Sequence, residues 1–264
     1  MGLVWVAVVM GLVEGLTEFL PVSSTGHLII AGHLLGFTGA RAATFEIFIQ
    51  MGAILAVVVL EWRRFLGLFR PDPVRRFSGS RGLTLLFLTT LPALVAGGFL
   101  HGLIKARLFG TGPVAIGLFA GGLLLLAVER WRPAARVTGV DAIEAREAIL
   151  VGLFQCLALW PGVSRSGATI AGGLLCGLER RTAATYSFLA AVPTMTAATA
   201  FDLYMSSESL TAADAWPFAI GFVVSFIAAW AAVRGFMALV GRMTLAPFAW
   251  YRIAVAPLVW RLTP

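Results

Sequence analysis

Hydrophobic residues in this chain gather in long runs separated by short polar stretches. Six runs, at about 44–62, 83–101, 113–129, 183–201, 217–236 and 244–262, each hold roughly the 17–20 apolar residues a helix needs to cross a bilayer. Two others, 2–36 and 148–178, are as apolar but are cut midway, by L-P-V-S-S-T-G-H at 20–27 and P-G-V-S-R-S-G-A-T at 161–169. Each half is short for a crossing. A broken pair of short helices predicts a re-entrant hairpin, tolerated only where the break is buried in protein or lines a cavity.

The two broken runs are related. With a shift of 141 residues, 14–45 aligns without gaps on 155–186, and 11 of 32 positions are identical, among them Val22/Val163, Ser23/Ser164, Gly26/Gly167 and Gly36/Gly177. Apolar composition inflates chance identity, but it does not account for a matched V-S-x-x-G in both breaks. The pattern predicts an internal duplication, repeat one about 1–130 and repeat two about 147–264, within one membrane domain. Loop charge gives the orientation. The loop at about 62–82 carries Arg63, Arg64, Arg70, Arg75, Arg76 and Arg81, whereas its counterpart at 202–216 carries Asp202, Glu208, Asp214 and no basic residue. By the positive-inside rule the first loop is cytoplasmic and the second lies outside, so the repeats run in opposite senses. The loop at 130–147, with four Arg, falls inside and both termini fall outside. The prediction is an all-α polytopic membrane protein with six spanning helices and two re-entrant hairpins. In this inverted-topology repeat the broken tips meet near the midplane.

Composition sharpens the class. The chain has 264 residues, 59% hydrophobic and 12% charged, with mean hydropathy +0.90, too little polar surface to coat a globule in water. A soluble enzyme, a disordered tail and a secreted disulfide scaffold are excluded. The net charge of +7 comes from 20 basic residues, all but Lys105 being Arg. In short loops beside apolar spans such charge orients a membrane protein, so no nucleic-acid partner is expected. Cys156 and Cys176 sit in apolar stretches and read as small buried hydrophobes. The N-terminal segment has no basic n-region and carries two Glu, so no cleavable signal peptide is expected.

The ionisable groups picked out inside these apolar runs are Glu14, Glu18, Glu46, Arg165 and, at the first break, His27. Each is expensive in lipid and is a functional candidate by default. Glu14 and Glu18, spaced i, i+4, share a helix face, where two like charges repel unless one is protonated or a cation sits between them. Ser23, Ser24, Thr25, Gly26 and His27 follow Pro21 within one turn. They suit a polar helix cap and equally an anion site built on a helix N-terminus. In the second break Arg165 stands with Ser164, Ser166 and Thr169. A guanidinium there either pairs with Glu14 or Glu18 for structure or takes phosphate oxygens bidentately. Together the clusters offer anion donors, cation ligands and a proton-transfer group, a set suited to a phosphate ester or pyrophosphate with a divalent ion. Glu46 and Gln50, also i, i+4, and Gln155, the counterpart of Glu14, are candidates for supporting the site from behind. His33 and His101 read as interfacial. Trp62, Trp131, Trp216, Trp250 and Trp260 near the span ends read as an aromatic belt.

The stretches E-G-L-T-E-F-L-P-V-S-S-T-G-H at 14–27 and F-Q-C-L-A-L-W-P-G-V-S-R-S-G-A-T at 154–169 resemble those of the undecaprenyl-pyrophosphate phosphatase family, the bacitracin-resistance integral membrane type. The similarity extends to T-F-E-I-F-I-Q at 44–50 and A-V-P at 191–193. The resemblance implies an enzyme that removes the terminal phosphate of a C55 polyprenyl pyrophosphate, yielding the monophosphate lipid carrier of cell-wall synthesis. It implies a bacterial plasma membrane, a site open to the outer face, a divalent cation such as Mg²⁺ or Ca²⁺, and a homodimer. Glu14 and Glu18 match the family's acidic motif, His27 its essential His and Ser24 its serine. Ser164, Arg165 and Thr169 match its second motif. Whether His27, Ser24 or water attacks phosphorus stays open at this level. The competing class is a prenyl-phosphate lipid transporter or flippase, because inverted repeats with broken helices also mark transporters.

Overall fold

The computed structural model describes residues 2–108, 110–206 and 215–262. Glu208 and Asp214 lie outside the described residues, as do the side chains of Asp202 and His101. The described chain is helical, with one isolated β-bridge between Val137 and Leu178. Its helices are α1 (Leu3–Thr17), α2 (Ser24–Leu35), α3 (Ala40–Leu60), α4 (Trp62–Phe69), α5 (Gly79–Arg107) and α6 (Thr111–Trp131), followed by α7 (Ala145–Gln155), α8 (Arg165–Leu175), α9 (Arg180–Ser206), α10 (Ala215–Leu239) and α11 (Ala246–Trp260). A helix stands at each of the six predicted long runs. Four of these, over Arg41–Leu60, Gly79–Leu100, Thr111–Trp131 and Ala215–Leu239, are long and apolar enough to cross a membrane. Trp62, Trp131, Trp216, Trp250 and Trp260 are all exposed, as an interfacial belt requires.

The broken runs fold as helix–break–helix pairs, α1 with α2 and α7 with α8. Among the described residues, the only non-glycine residues with positive φ are Ser23 (φ 71°) and Ser164 (φ 73°), the residues that precede α2 and α8. They are counterparts under the 141-residue shift. The far ends match too. Gly36 (φ 63°) and Gly177 (φ 84°) close α2 and α8 in the left-handed conformation. Phe37 N–H reaches Gly32 O at 2.8 Å and Leu178 N–H reaches Gly173 O at 2.9 Å, the same glycine-terminated helix end twice.

Packing around the hairpins follows the same correspondence. The first long helix of each copy after its α3 or α9 lies against the other copy's hairpin, α10 on α1 and α5 on α7. Meanwhile α3 packs on α9 and α6 on α11. Small residues let the backbones approach, as helix contacts in lipid demand. A Cβ on Gly11 would stand 2.6 Å from the carbonyl oxygen of Gly221 on α10. A Cβ on Gly152 would stand the same distance from that of Thr89 on α5. Gly11 and Gly152 are again 141 residues apart.

Candidate active site

The two breaks meet. Thr17 ends α1, and the chain turns through Glu18–Ser23 before α2 starts at Ser24. Arg165 opens α8 directly after the strained Ser164. Ser166 Oγ donates to Leu20 O of the first break at 2.9 Å. Arg252 on α11 fastens both. Its side chain is fully buried (0% exposed) and donates to Pro21 O at 3.4 Å, Gly162 O at 3.0 Å and Val163 O at 2.7 Å, and also to Gly117 O and Leu118 O on α6. Carbonyl dipoles from three segments thus surround a buried cation, so each break loses a tether if that cation is removed.

Between the breaks lies a cavity of about 240 Å³, lined on its polar side by Glu18, Ser23, Ser24, Thr25, Gln50, Gln155, Ser164, Arg165 and Thr194. Ala93, Leu159, Met195 and Ala198 form its apolar wall. Glu18 is the centre of the polar side. Ser24 Oγ donates to its Oε2 at 2.6 Å and Arg165 Nη2 to its Oε1 at 3.1 Å. The guanidinium also donates to Ser187 O at 3.2 Å and lies 5.1 Å from the centroid of the Phe19 ring, while its Nε has no partner among the described residues. Thr169 does not face the cavity. Its hydroxyl donates to Arg165 O at 2.8 Å and meets Ser187 Oγ at 2.6 Å, which holds the start of α8 from behind. Ser164 Oγ accepts the Gly167 N–H at 3.1 Å and so caps α8.

His27 points elsewhere. Its Nδ1 lies 2.7 Å from Ser23 O, and its Nε2 lies 2.7 Å from the hydroxyl of Tyr251 on α11, whose ring stacks on the imidazole. A carbonyl oxygen only accepts, so Nδ1 carries the proton. In the neutral ring Nε2 is then the acceptor of the Tyr251 O–H. His27 therefore ties down the strained Ser23 backbone and does not line the cavity. Gly26 lies under Leu118. Ser166 is buried between the breaks.

Glu14 sits behind the cavity, only 1% exposed, and neither carboxylate oxygen has a hydrogen-bond partner among the described residues. It is within electrostatic reach of Glu18, Glu46 and Arg165. Such an orphaned acid needs either a proton or a cation. Gln155 donates to Thr89 O at 3.2 Å and to Thr194 Oγ1 at 3.3 Å, and Gln50 accepts from Thr199 at 3.1 Å. Among the described residues no three His, Cys, Asp or Glu side chains gather as a closed metal cage. Glu14, with Glu18 one helical turn on and lining the cavity, is the group that could hold a divalent ion here, which would offset the charge of a phosphate. The donor set fits that arrangement.

Sequence reasoning passed over Arg252, Tyr251, Ser187 and Thr194. Arg252 carries a legible signal, a cation inside the apolar stretch A-P-F-A-W-Y-R-I-A-V-A-P. The other three are ordinary polar residues on long helices, and only the tertiary packing singles them out.

Comparison with known proteins agrees with the resemblance in the motifs. A family model described as bacitracin resistance protein BacA matches residues 7–258. An undecaprenyl-diphosphatase of Nitratidesulfovibrio vulgaris (strain DP4) is 61% identical over 254 residues, 96% of each chain. A protein of the same name from Maridesulfovibrio salexigens is 58% identical over 96% of each chain, and one from Solidesulfovibrio magneticus is 53% identical over 98% of this chain and 97% of its own. The family match takes in both breaks, the cavity between them and α11 with Arg252, and the chain belongs to the bacitracin resistance protein BacA family.

Proposed function

We infer that the protein is an integral membrane undecaprenyl-diphosphate phosphatase, a hydrolase that converts C55 polyprenyl pyrophosphate to the monophosphate lipid carrier. One observation carries the chemistry. Arg165 from one break and the Glu18–Ser24 pair from the other face a single cavity. The guanidinium supplies a fixed positive charge where phosphoryl transfer redistributes negative charge. It engages the terminal phosphate by exchanging Glu18 for phosphate oxygens at Nη2.

Ser24 is the nucleophile this arrangement favours over His27, because its Oγ borders the cavity and already donates to a carboxylate. In the first step a bond forms from Oγ to the terminal phosphorus and the bond to the bridging oxygen breaks. The Oγ proton passes to Glu18 and undecaprenyl monophosphate leaves. In the second, water attacks the phosphoserine and Glu18 returns its proton to the departing Oγ. Both protons of the attacking water stay on the phosphate, which is released as dihydrogen phosphate. His27 positions Ser24 through the Ser23 carbonyl. Mg²⁺ or Ca²⁺, held by Glu14 with Glu18 able to join, would neutralise charge on the pyrophosphate oxygens.

We further propose that α3, α5, α6, α9, α10 and α11 span a bacterial plasma membrane and that the two helix pairs are re-entrant and inverted. The matched geometry at Ser23 and Ser164 supports this reading, and the arginines of the 62–82 and 130–147 loops favour a cytoplasmic side for those loops, with the substrate cavity proposed to open on the outer side. The prenyl chain enters from the lipid along the apolar wall. Purified protein in detergent, given the C55 pyrophosphate, is expected to release phosphate without any gradient, and Arg165→Ala to abolish release in a chain that still folds. Gradient-dependent lipid movement with no phosphate release would overturn the hydrolase in favour of a flippase.

A further inference from the structure

A separate cavity of about 580 Å³ is lined by Pro133, Arg136, Arg146, Leu150, Phe154, Leu175 and Cys176, none of which lines the candidate active site. Its two ends differ in character. Arg136 and Arg146 stand at one end. Leu150 and Phe154 run away from them along α7, with Leu175 of α8 beside Cys176 on the facing wall, and on α7 Ile149 and Leu153 are exposed, as lipid-facing residues are. Arg146 and Phe154 are separated by about 12 Å of helix.

The rim is fixed and positively charged. Arg136 and Val137 N–H groups both bond Gly177 O, and Glu179 N–H returns a bond to Val137 O. The Arg136 guanidinium donates to Glu147 Oε1 at 3.0 Å and Cys176 O at 2.9 Å, yet its side chain remains half exposed. Glu147 is thereby engaged, and it also accepts the Glu144 N–H. Among the described residues Arg146 has no carboxylate within ion-pair distance, so the rim keeps a net positive charge.

We propose that this groove binds an anionic phospholipid of the cytoplasmic leaflet. Its phosphate lies against Arg146 and Arg136, and an acyl chain lies along Leu150, Phe154 and Leu175. Charge complementarity selects the occupant. A cationic rim at the interface above an apolar trough opening to lipid fits a headgroup phosphate with its chain attached, and basic pockets on the cytoplasmic side are ordinary lipid sites. A soluble phosphate would leave the trough unfilled.

The test uses delipidated, purified full-length protein offered phosphatidylglycerol and phosphatidylethanolamine with identical chains, and native mass spectrometry to count retained lipid. The wild type is expected to retain the anionic lipid preferentially. Arg146→Gln should lower that preference about fivefold, the weight of one interfacial arginine, while Arg146→Lys keeps most of it. Leu175→Trp, which fills the trough and spares both arginines, should lower retention as well. Arg63→Gln on the equally basic α4 should change nothing. Equal retention of both lipids by the wild type overturns the proposal. So does an effect of Arg146→Gln unaccompanied by one from Leu175→Trp, because charge alone would then be acting. Arg146 makes no bond that the fold needs, so its variants remain interpretable.

Discussion

Arg165 donates to Oε1 of Glu18, 147 residues away in sequence, at 3.1 Å across the gap between the two breaks. The other oxygen of Glu18 takes the hydroxyl of Ser24. Ser24 and Arg165 occupy equivalent places after Ser23 and Ser164, so one carboxylate is gripped by the same position of both hairpins.

Removing the guanidinium takes away the phosphate anchor and leaves Glu18 with a single donor. Arg165→Ala is expected to lower kcat/KM for the C55 pyrophosphate by roughly a hundredfold or more. Arg165→Lys should recover only part, because an ammonium lacks the planar fork. Steady-state phosphate release, with circular dichroism to verify folding, measures both.

If Ser24 attacks, rapid acid quench during turnover should yield a peptide containing Ser24 with the mass of an added phosphate. Configuration at phosphorus should be retained over the two displacements. Ser24→Ala should show neither and lose at least roughly a hundredfold in rate. Inversion at phosphorus would point to direct attack by water.

The two acids should separate. Glu14 has bare oxygens, so Glu14→Gln is expected to raise the half-saturating Mg²⁺ several-fold and leave the rate at saturating metal nearly intact. Glu18 is engaged with Ser24 and Arg165, so Glu18→Gln should depress kcat at every metal concentration. Identical cation titrations for wild type and Glu14→Gln would count against Glu14 as a ligand.

The caps should separate as well. Ser164 accepts a helix N–H and Ser23 has no such side-chain bond. Ser164→Ala should therefore cost about 1 kcal/mol, and Ser23→Ala less. Thermal melts in one detergent compare them.

Arg252→Met should destabilise more than either, because buried carbonyls of both breaks lose their donor at about 1–3 kcal/mol for each group left unsatisfied. The melt should fall and phosphate release should fall with it, whereas Arg252→Lys retains part of both.

Much of this was legible in the residues. The long helices follow from runs of apolar residues, and both breaks follow from Pro and Gly beside clustered hydroxyls. The link between Arg165 and an acid of the first motif was one of two readings the sequence left open. What the sequence hid is direction and partnership. His27 shares one turn with Ser23–Thr25, yet its ring faces Tyr251, 224 residues away, and no local pattern reports that. Glu14 and Glu18 look alike on a helical wheel, but only Glu18 sits where the chain turns into the cavity. The clasp formed by Arg252 depends on three segments converging, which spacing along one helix does not encode.

The paired backbone shape at Ser23 and Ser164 has a consequence for how such a catalyst is made. The scaffold offers two interchangeable pedestals, and the sense of the reaction is written only in what each one holds up, a hydroxyl on one and a guanidinium on the other. Exchanging the residues at 24 and 165, with their immediate supports, would keep both groups on the one cavity and trade nucleophile and anchor between the two breaks.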